Sequence, residues 1–505
     1  MSIYLFGLPS FVYQNPRFLD TYQHEGNAIA LLFSKGWYSG PIWYVYQFPG
    51  AYTFFAQLTA VAGLDPFVVM QVFPMCLALV IALMLYALVR SISPSHAMVA
   101  SAFILSGLWF QLHLSPQALE LIMYLGVFLL LLKIIDDVPQ RGKWEMIAMA
   151  VTPILVLSHP ETPLVLLLGI AGFLVLQGLL ARSRLSDLKL SLAAIGPFFA
   201  MLALITVSWW TSFASGALAV VQSIVNGALN SGISGLSHGA PAVPATPAPS
   251  YHVTILLQEG ISATVWVIGL GLFVFVRRFK PREFLLMGMF LAAVSTIPVA
   301  LFANADVLQR SYLFALFPLG ILVASLSSNP AVLRIRGRSL LKPIGLMMFI
   351  VIVGFSVVMP VSRYGLDSFN YLSESSLVAS NVAASETTHS VLMLHPGWYG
   401  WRYYAPYHGY EGAVLLEQKN ITSLPGAYVK LNTYEQYNLT YSGADRTADY
   451  LFLSDYFQNL YVLRFGSNST SYLQQKVAFE AQASFQFNLV YSSGTDRFYE
   501  NRDLG

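Results

Sequence analysis

Seven ionisable side chains in the first two thirds of the chain have the types that group transfer requires. A carboxylate can take a proton from a hydroxyl group, and a histidine can bind a sugar or a phosphate. An arginine matches phosphate oxygens with its planar fork of N–H groups. The residues are Asp20 as the candidate base, with His24, Glu25, His113, His159, Glu161 and Arg310 as candidate substrate-binding residues.

Asp20 and His24 are four residues apart, so a helix would place them on one face. In that position Asp20 could act as a general base, or the pair could hold a divalent cation. A solvated or helix-capping aspartate followed by a polar helix face is the plainer alternative, and the spacing alone favours it. Both interpretations stay open.

His113 and His159 each lie close to a proline where two apolar segments turn. Each could cap its turn, or point into a cavity and bind a phosphate or a sugar. His159 and Glu161 are too close across Pro160 to form a metal pair on one helical face. The sequence contains no phosphate-binding loop, dinucleotide fingerprint, nucleophile elbow or Cys/His metal spacing, so it establishes no cofactor.

The composition defines the class of protein that must position these residues. Of 505 residues, 56% are hydrophobic and 10% are charged, whereas soluble domains carry about 25% charged residues. This is the composition of an integral membrane protein. The net charge of +2 gives no indication of nucleic-acid binding. Cys76 is the single cysteine, which excludes disulfides and favours a prokaryotic source. Residues 1–13 show no cleavable signal peptide.

Ten apolar segments are predicted to cross the membrane, within a transmembrane domain over residues 1–361. Crossing the hydrocarbon layer of about 30 Å takes roughly 17–25 residues. The predicted spans are 66–89, 97–113, 116–133, 144–158, 161–180, 190–210, 259–276, 283–303, 309–328 and 341–361.

Basic residues follow alternate loops between these spans. Of the 18 Lys and Arg residues before position 362, 15 lie at five places and only Arg17, Lys35 and Arg310 lie on the intervening loops. Cytoplasmic loops retain positive charge, so the five clusters are predicted to be inside and the seven candidate residues outside. The five places are Arg90; Lys133, Arg141 and Lys143; Arg182, Arg184 and Lys189; Arg277, Arg278, Lys280 and Arg282; and Arg334, Arg336, Arg338 and Lys342.

Three further regions are predicted to lie on the outer side. Residues 14–63 form an outer loop with an amphipathic helix from Asp20 to Lys35 and a short interfacial or re-entrant helix over 50–63. Residues 211–258 form a long loop rich in proline and alanine. Residues 362–505 form a polar, extracytoplasmic α/β domain. Its predicted elements are a helix over 368–386, strands at 390–394, 412–417, 450–454 and 485–491, a final hairpin, and glycosylation sequons at Asn420, Asn438 and Asn468.

Arg310 is the one basic residue predicted on the outer side between positions 36 and 361. A lone guanidinium at headgroup depth is suited to a lipid phosphate. The alternative is an interfacial arginine that reaches water or pairs with Asp306. The two interpretations carry equal weight.

Four segments together resemble the GT-C glycosyltransferases that use polyprenyl-phosphate-linked sugars, most of all the protein mannosyltransferase and aminoarabinose transferase branch. They are the acidic loop with its polar helix (20–36), the proline-containing segment and short helix (48–63), the late span opened by an arginine (310–318), and the end of the external domain (489–499). The resemblance implies that Asp20 activates the acceptor and that Arg310 holds the lipid phosphate.

Two hypotheses follow. The first is an inverting glycosyltransferase in a prokaryotic, archaeal cell membrane, which moves a sugar from a polyprenyl phosphate to an extracytoplasmic protein or lipid-linked glycan. The second is a non-catalytic membrane scaffold of the same fold, whose external domain binds a partner protein. The lone acid and the lack of a membrane helix before the acidic loop favour the second. A transporter fits less well, since no inverted repeat is evident.

Overall fold

The structure is a computed structural model that describes the helical part of the chain in long stretches. These are residues 6–33, 47–110, 112–180, 185–216, 249–275, 280–297, 305–328, 341–365 and 371–386, with short pieces between and after them. The helices are α1 (Leu8–Val12), α2 (Leu19–Phe33), α3 (Pro49–Ala62), α4 (Pro66–Ile92), α5 (Ala97–Gly107), α6 (Pro116–Asp136), α7 (Arg141–Ser158), α8 (Glu161–Leu180), α9 (Leu185–Ser212), α10 (Pro249–Phe275), α11 (Pro281–Ser295), α12 (Ala305–Ser327), α13 (Leu341–Tyr364) and α14 (Glu374–Glu386).

The chain is a helical, multi-pass membrane protein. A helix lies at each of the ten predicted spans, and seven of these helices are long and apolar enough to cross a bilayer. They are α4, α6, α8, α9, α10, α12 and α13. Helix α12 lies deepest in the bundle, with 89% of its apolar window buried, whereas only 22% of that of α13 is buried. Most of the side chains on α12 are therefore surrounded by protein.

Helix α5 is shorter than its predicted span of 97–113. It ends at Gly107 after 11 residues, a rise of about 16 Å, which is too short for the hydrocarbon layer. Side chains bind the carbonyl groups where the helix stops: the Tyr312 hydroxyl donates to Gly107, and Arg363 donates to Trp109 at 3.2 Å and Leu112 at 2.9 Å. Because these bonds satisfy the backbone, the chain can leave the helical conformation inside the protein.

The two helices predicted between residues 14 and 63 are confirmed. Helix α2 begins at Leu19, one residue before the predicted start, and packs on α3. Helix α3 has 14 residues and ends at Gly63, which adopts the left-handed conformation with φ of 60°. Its buried face includes Tyr52 and Phe55, so one side of this short helix packs against the bundle.

Helices α8 and α11 approach each other through glycines. A Cβ atom on Gly288 would lie 2.5 Å from the Phe173 backbone nitrogen and 2.8 Å from the Gly169 carbonyl oxygen. Real side chains do not tolerate such distances, so the two backbones can meet only because a side chain is missing here. Small residues play this role widely between membrane helices.

Gly288→Ala is therefore expected to destabilise the protein by about 1–3 kcal/mol, the usual cost of overpacking a core. The matched control is Gly271→Ala on α10, where an added Cβ would meet no atom within 4 Å. Thermal unfolding of the two variants in neutral detergent measures the difference. Equal unfolding midpoints for G288A and G271A would contradict the close packing of α8 on α11.

The described strands of the C-terminal region form one mixed sheet. They are β3 (Val391–Met393), β4 (Tyr450–Leu453), β5 (Phe487–Ser492) and β6 (Arg497–Asn501), in the order β3-β4-β6-β5. Strands β3 and β4 are parallel, while β5 and β6 form the predicted antiparallel hairpin with an irregularity between Leu489 and Tyr491. A two-residue pair, β1 (Arg334–Ile335) and β2 (Arg338–Ser339), lies between α12 and α13.

Three of the four predicted strands and the helix before them are confirmed, although α14 begins at Glu374, later than the predicted position 368. Helix α14 contacts β5 and β6. The strand predicted at 412–417, the three sequons at Asn420, Asn438 and Asn468, and most of the 211–258 loop lie outside the described residues. The organisation of 362–505 as a separate α/β domain stays a prediction.

Candidate functional site

His159 lies in a buried polar group with Glu120 and Thr162. The Ser115 side chain accepts a hydrogen bond from the Ala118 N–H and so starts α6, which places Glu120 one turn into that helix. His159 has extended backbone between α7 and α8, with its Nδ1 3.2 Å from a Glu120 carboxyl oxygen. The Thr162 hydroxyl donates to the same oxygen at 2.6 Å.

The His159 ring is neutral in this environment. Its burial, followed by the nearby charges of Arg310 and His24, lowers the pKa of His159 well below its ordinary value. Its Nδ1 accepts the backbone N–H of Glu161 at 3.3 Å. The His159 ring thus caps the start of α8 and is also part of a polar group inside the bundle.

Arg310 pairs with Glu161. Its Nη1 lies 2.5 Å from a carboxyl oxygen of Glu161, and the two side chains are 27% and 30% exposed. Gln117 donates to the other carboxyl oxygen at 3.5 Å. The sequence suggested Asp306 as the pairing alternative, but the side chain of Asp306 lies outside the described residues. Arg310 is thus fixed by a carboxylate from α8 while keeping access to the surroundings of the protein.

His24 connects α2 to this region. Its Nδ1 lies 3.0 Å from the Tyr52 hydroxyl of α3. Positive charge on His24 lowers the pKa of both His113 and His159, which indicates that His24 lies near each of these two rings. Sequence positions far apart in the chain therefore meet at one end of the bundle.

His113 is buried, and no described residue forms a hydrogen bond with its ring. Both ring nitrogens have no partner among the described residues, and the ring stacks on Phe18 with a centroid distance of 4.8 Å. Burial, and then the charges of His24, Arg363 and Arg17, lower the pKa of His113 well below its usual value. A neutral imidazole of this kind has one donor and one acceptor without a bond in the described part of the chain.

Glu25 and Asp20 lie on different faces of α2. Glu25 is fully buried and accepts a hydrogen bond from Thr59 of α3 at 3.0 Å. Burial raises the pKa of Glu25 to about 7, while the Thr59 hydroxyl opposes this shift. Asp20 is exposed in the first turn of α2, where a carboxylate also favours the helix N-terminus. Of these two carboxylates, only Asp20 is exposed.

Glu25 is expected to make stability fall with rising pH. The folded protein keeps the Glu25 proton up to about pH 7, whereas the unfolded chain loses it near pH 4.5. The contribution of this proton to the free energy of unfolding is therefore complete below pH 4.5 and is lost as the pH rises through 7. It amounts to at most about 3 kcal/mol. Glu25→Gln should remove this dependence. Unfolding midpoints at pH 5 and pH 8 measure it, with Glu374→Gln, at an exposed position, as control. Parallel pH profiles for E25Q and the unmodified protein would contradict the prediction.

The structure adds residues that sequence reasoning did not assign to the site. Glu120 is a polar residue in an apolar helix, a pattern that should have placed it among the candidates. Tyr52 and Thr162 carry no local signal. Arg17 and Arg363 are both buried, and nothing in their sequence context distinguishes them from interfacial arginines.

No described group of three or more His, Cys, Asp or Glu residues is arranged to hold a metal ion. The divalent cation considered for Asp20 and His24 stays a prediction. Comparison with known proteins gives no family either: no protein-family model matches the chain, and no curated protein matches it significantly.

Proposed function

We propose that the protein is a membrane glycosyltransferase that moves a sugar from a polyprenyl-phosphate donor to an extracytoplasmic acceptor. The observation that carries the proposal is the meeting of polar residues from four separate segments at one end of the bundle. Helix α2 contributes His24, the segment before α6 contributes His113, the α7–α8 turn contributes His159, and α12 contributes Arg310 beside Glu161. Placing this many polar groups together in a membrane protein is costly without a function.

In the proposed reaction the acceptor hydroxyl oxygen attacks the anomeric carbon of the sugar. The bond from that carbon to the phosphate oxygen breaks, the lipid phosphate leaves with the electron pair, and Asp20 takes the hydroxyl proton. Asp20 suits the role of base because it is exposed, whereas Glu25 and Glu120 are buried. Attack opposite the leaving group inverts the anomeric centre, and the reaction balances without a resident cofactor.

Arg310 would stabilise the leaving phosphate. Phosphates leave readily once their charge is compensated, so electrostatic stabilisation matters more than proton donation. Glu161 fixes one edge of the Arg310 guanidinium, and the partial exposure of the side chain leaves room for an anion beside it. Neutral His159 and His113 would contact the sugar or phosphate without competing for protons.

The proposed orientation places this site outside the cell. The five basic clusters would lie in the cytoplasm, and residues 211–258 and 362–505 would lie outside and help to select the acceptor. The direct test incubates the full-length protein in nanodiscs with polyprenyl phosphates that carry different labelled sugars, together with native membrane extract as acceptor. Transfer of label with release of polyprenyl phosphate is expected. Absence of both for every donor would contradict the proposal.

A non-catalytic scaffold is the second candidate, and the internal pairing of the site favours it. The pairs Glu161–Arg310 and His159–Glu120 use protein partners and could serve packing alone. The scaffold would hold a partner protein through residues 362–505. Binding of a polyprenyl phosphate that Arg310→Gln weakens distinguishes the two, because a scaffold needs no site for the donor phosphate at Arg310.

A further inference from the structure

Two buried arginines lie side by side at the end of the bundle that also contains His113. Arg17 precedes α2 and Arg363 lies in the last turn of α13, and the Arg17 guanidinium donates to the Arg363 carbonyl oxygen. The residues are only 6% and 5% exposed. Both guanidinium groups lie over the same two rings. The Arg17 guanidinium is 4.0 Å from the Phe18 ring centroid and 4.4 Å from the Tyr364 ring centroid. The Arg363 guanidinium is 5.4 Å from the Phe18 centroid and 5.6 Å from the Tyr364 centroid.

The hydrogen bonds of Arg363 leave part of its guanidinium unused. Its Nη1 and Nη2 donate to the carbonyls of Trp109 and Leu112, which are neutral acceptors. Its Nε is buried and has no hydrogen-bond partner among the described residues. Arg363 is thus a buried cation whose contacts in the described part of the chain are carbonyls and aromatic rings. A buried charge of this kind is costly unless an anion compensates it.

A cleft opens beside the two arginines. It encloses about 280 Å³ of empty space, which includes open solvent, and is lined by Arg17, Arg363 and Phe18 together with Ser10 of α1 and Met70 and Gln71 of α4. Its wall is therefore polar at the arginines, serine and glutamine, and apolar elsewhere. That combination fits a charged headgroup attached to a hydrocarbon chain.

We infer that the Arg17–Arg363 cleft binds a phosphate group. The planar fork of a guanidinium matches phosphate oxygens, and aromatic surroundings strengthen the attraction by excluding water. Arg363 Nε would supply one donor to the phosphate. The same chemistry serves the headgroup of an anionic lipid or a free phosphate ion. The site does not depend on the proposed sugar transfer, because Arg310 and Asp20 take no part in it.

Binding of dodecyl phosphate and of inorganic phosphate to the full-length protein in neutral detergent tests the site. The unmodified protein is expected to bind with an affinity that falls as sodium chloride increases. Arg17→Gln and Arg363→Gln should each weaken binding by about tenfold or more, which is the effect of losing one charge-assisted hydrogen bond. Stronger binding of dodecyl phosphate would identify a lipid headgroup, and equal binding of both would identify a free phosphate. Either result supports the site.

Arg363→Gln could fail to fold, because Arg363 also donates hydrogen bonds to the backbone after α5. A variant that keeps both arginines provides a second test. Ser10→Trp should fill the cleft without removing a charge and weaken binding by about tenfold. Leu83→Trp on α4, at a residue that is 69% exposed and outside the cleft lining, is the matched control and should bind like the unmodified protein. Failure of both probes to bind, or unchanged binding by R17Q and S10W, would overturn the inference.

Discussion

Asp20→Asn is expected to reduce sugar transfer by about 100- to 10,000-fold, the range that a positioned general base contributes. Asparagine keeps the size of the side chain and its place on the exposed face of α2 but cannot accept the proton of the acceptor hydroxyl. Stability should change by less than about 1 kcal/mol, because the lost interaction with the helix N-terminus is small. Initial rates of label transfer, together with the thermal unfolding midpoint, measure both quantities.

Asp136→Asn is the matched control for this variant. Asp136 is an exposed aspartate at the end of α6, where it lies 3.5 Å from Arg282. Its loss should leave transfer unchanged. If D20N transfers sugar at the unmodified rate, Asp20 is not the base. Loss of transfer in D136N as well would indicate a general effect of surface charge.

The Glu161–Arg310 pair gives the second large effect. Arg310→Gln is expected to lower transfer by about 100- to 1,000-fold, similar to the loss of one donor that stabilises charge in a transition state. The exchange of both residues, Glu161→Arg with Arg310→Glu, separates a role in packing from a role in phosphate binding. The exchanged protein should be about as thermally stable as the unmodified protein, because the ion pair is rebuilt. It should transfer sugar as slowly as Arg310→Gln, because the cation is no longer on α12.

Full recovery of transfer in the exchanged protein would contradict the phosphate-binding role. The result would then show that the pair serves packing alone and that another group stabilises the leaving phosphate. The single variant Glu161→Gln is the remaining comparison. It keeps Arg310 and should therefore retain most of the transfer activity.

The positions of the helices were predictable because hydrophobic length and charge distribution determine them. Helix α2 and the span that contains Arg310 both follow from apolar periodicity and composition. The early end of α5 at Gly107 could not be predicted, since it depends on Tyr312 and Arg363 reaching back across more than 200 residues. Tertiary hydrogen bonds of that kind leave no local signal.

The candidate site was predicted as a set of residues but not as an arrangement. His113 and His159 were recognised from their turns, yet their proximity to His24 depends on how α2 packs. The sequence offered a lipid phosphate, water or Asp306 as the partner of Arg310 but not Glu161, because the contact with Glu161 joins two helices far apart in sequence. Glu120 was a missed residue of the site, although a carboxylate in an apolar helix is a usable signal.

A structure of the full-length protein with a short polyprenyl phosphate tests the central claim most directly. The proposed function predicts that the phosphate lies within hydrogen-bonding distance of Arg310, with the bond to the sugar position directed toward Asp20. A phosphate bound only in the Arg17–Arg363 cleft, or a site at Arg310 closed by protein side chains, would contradict it.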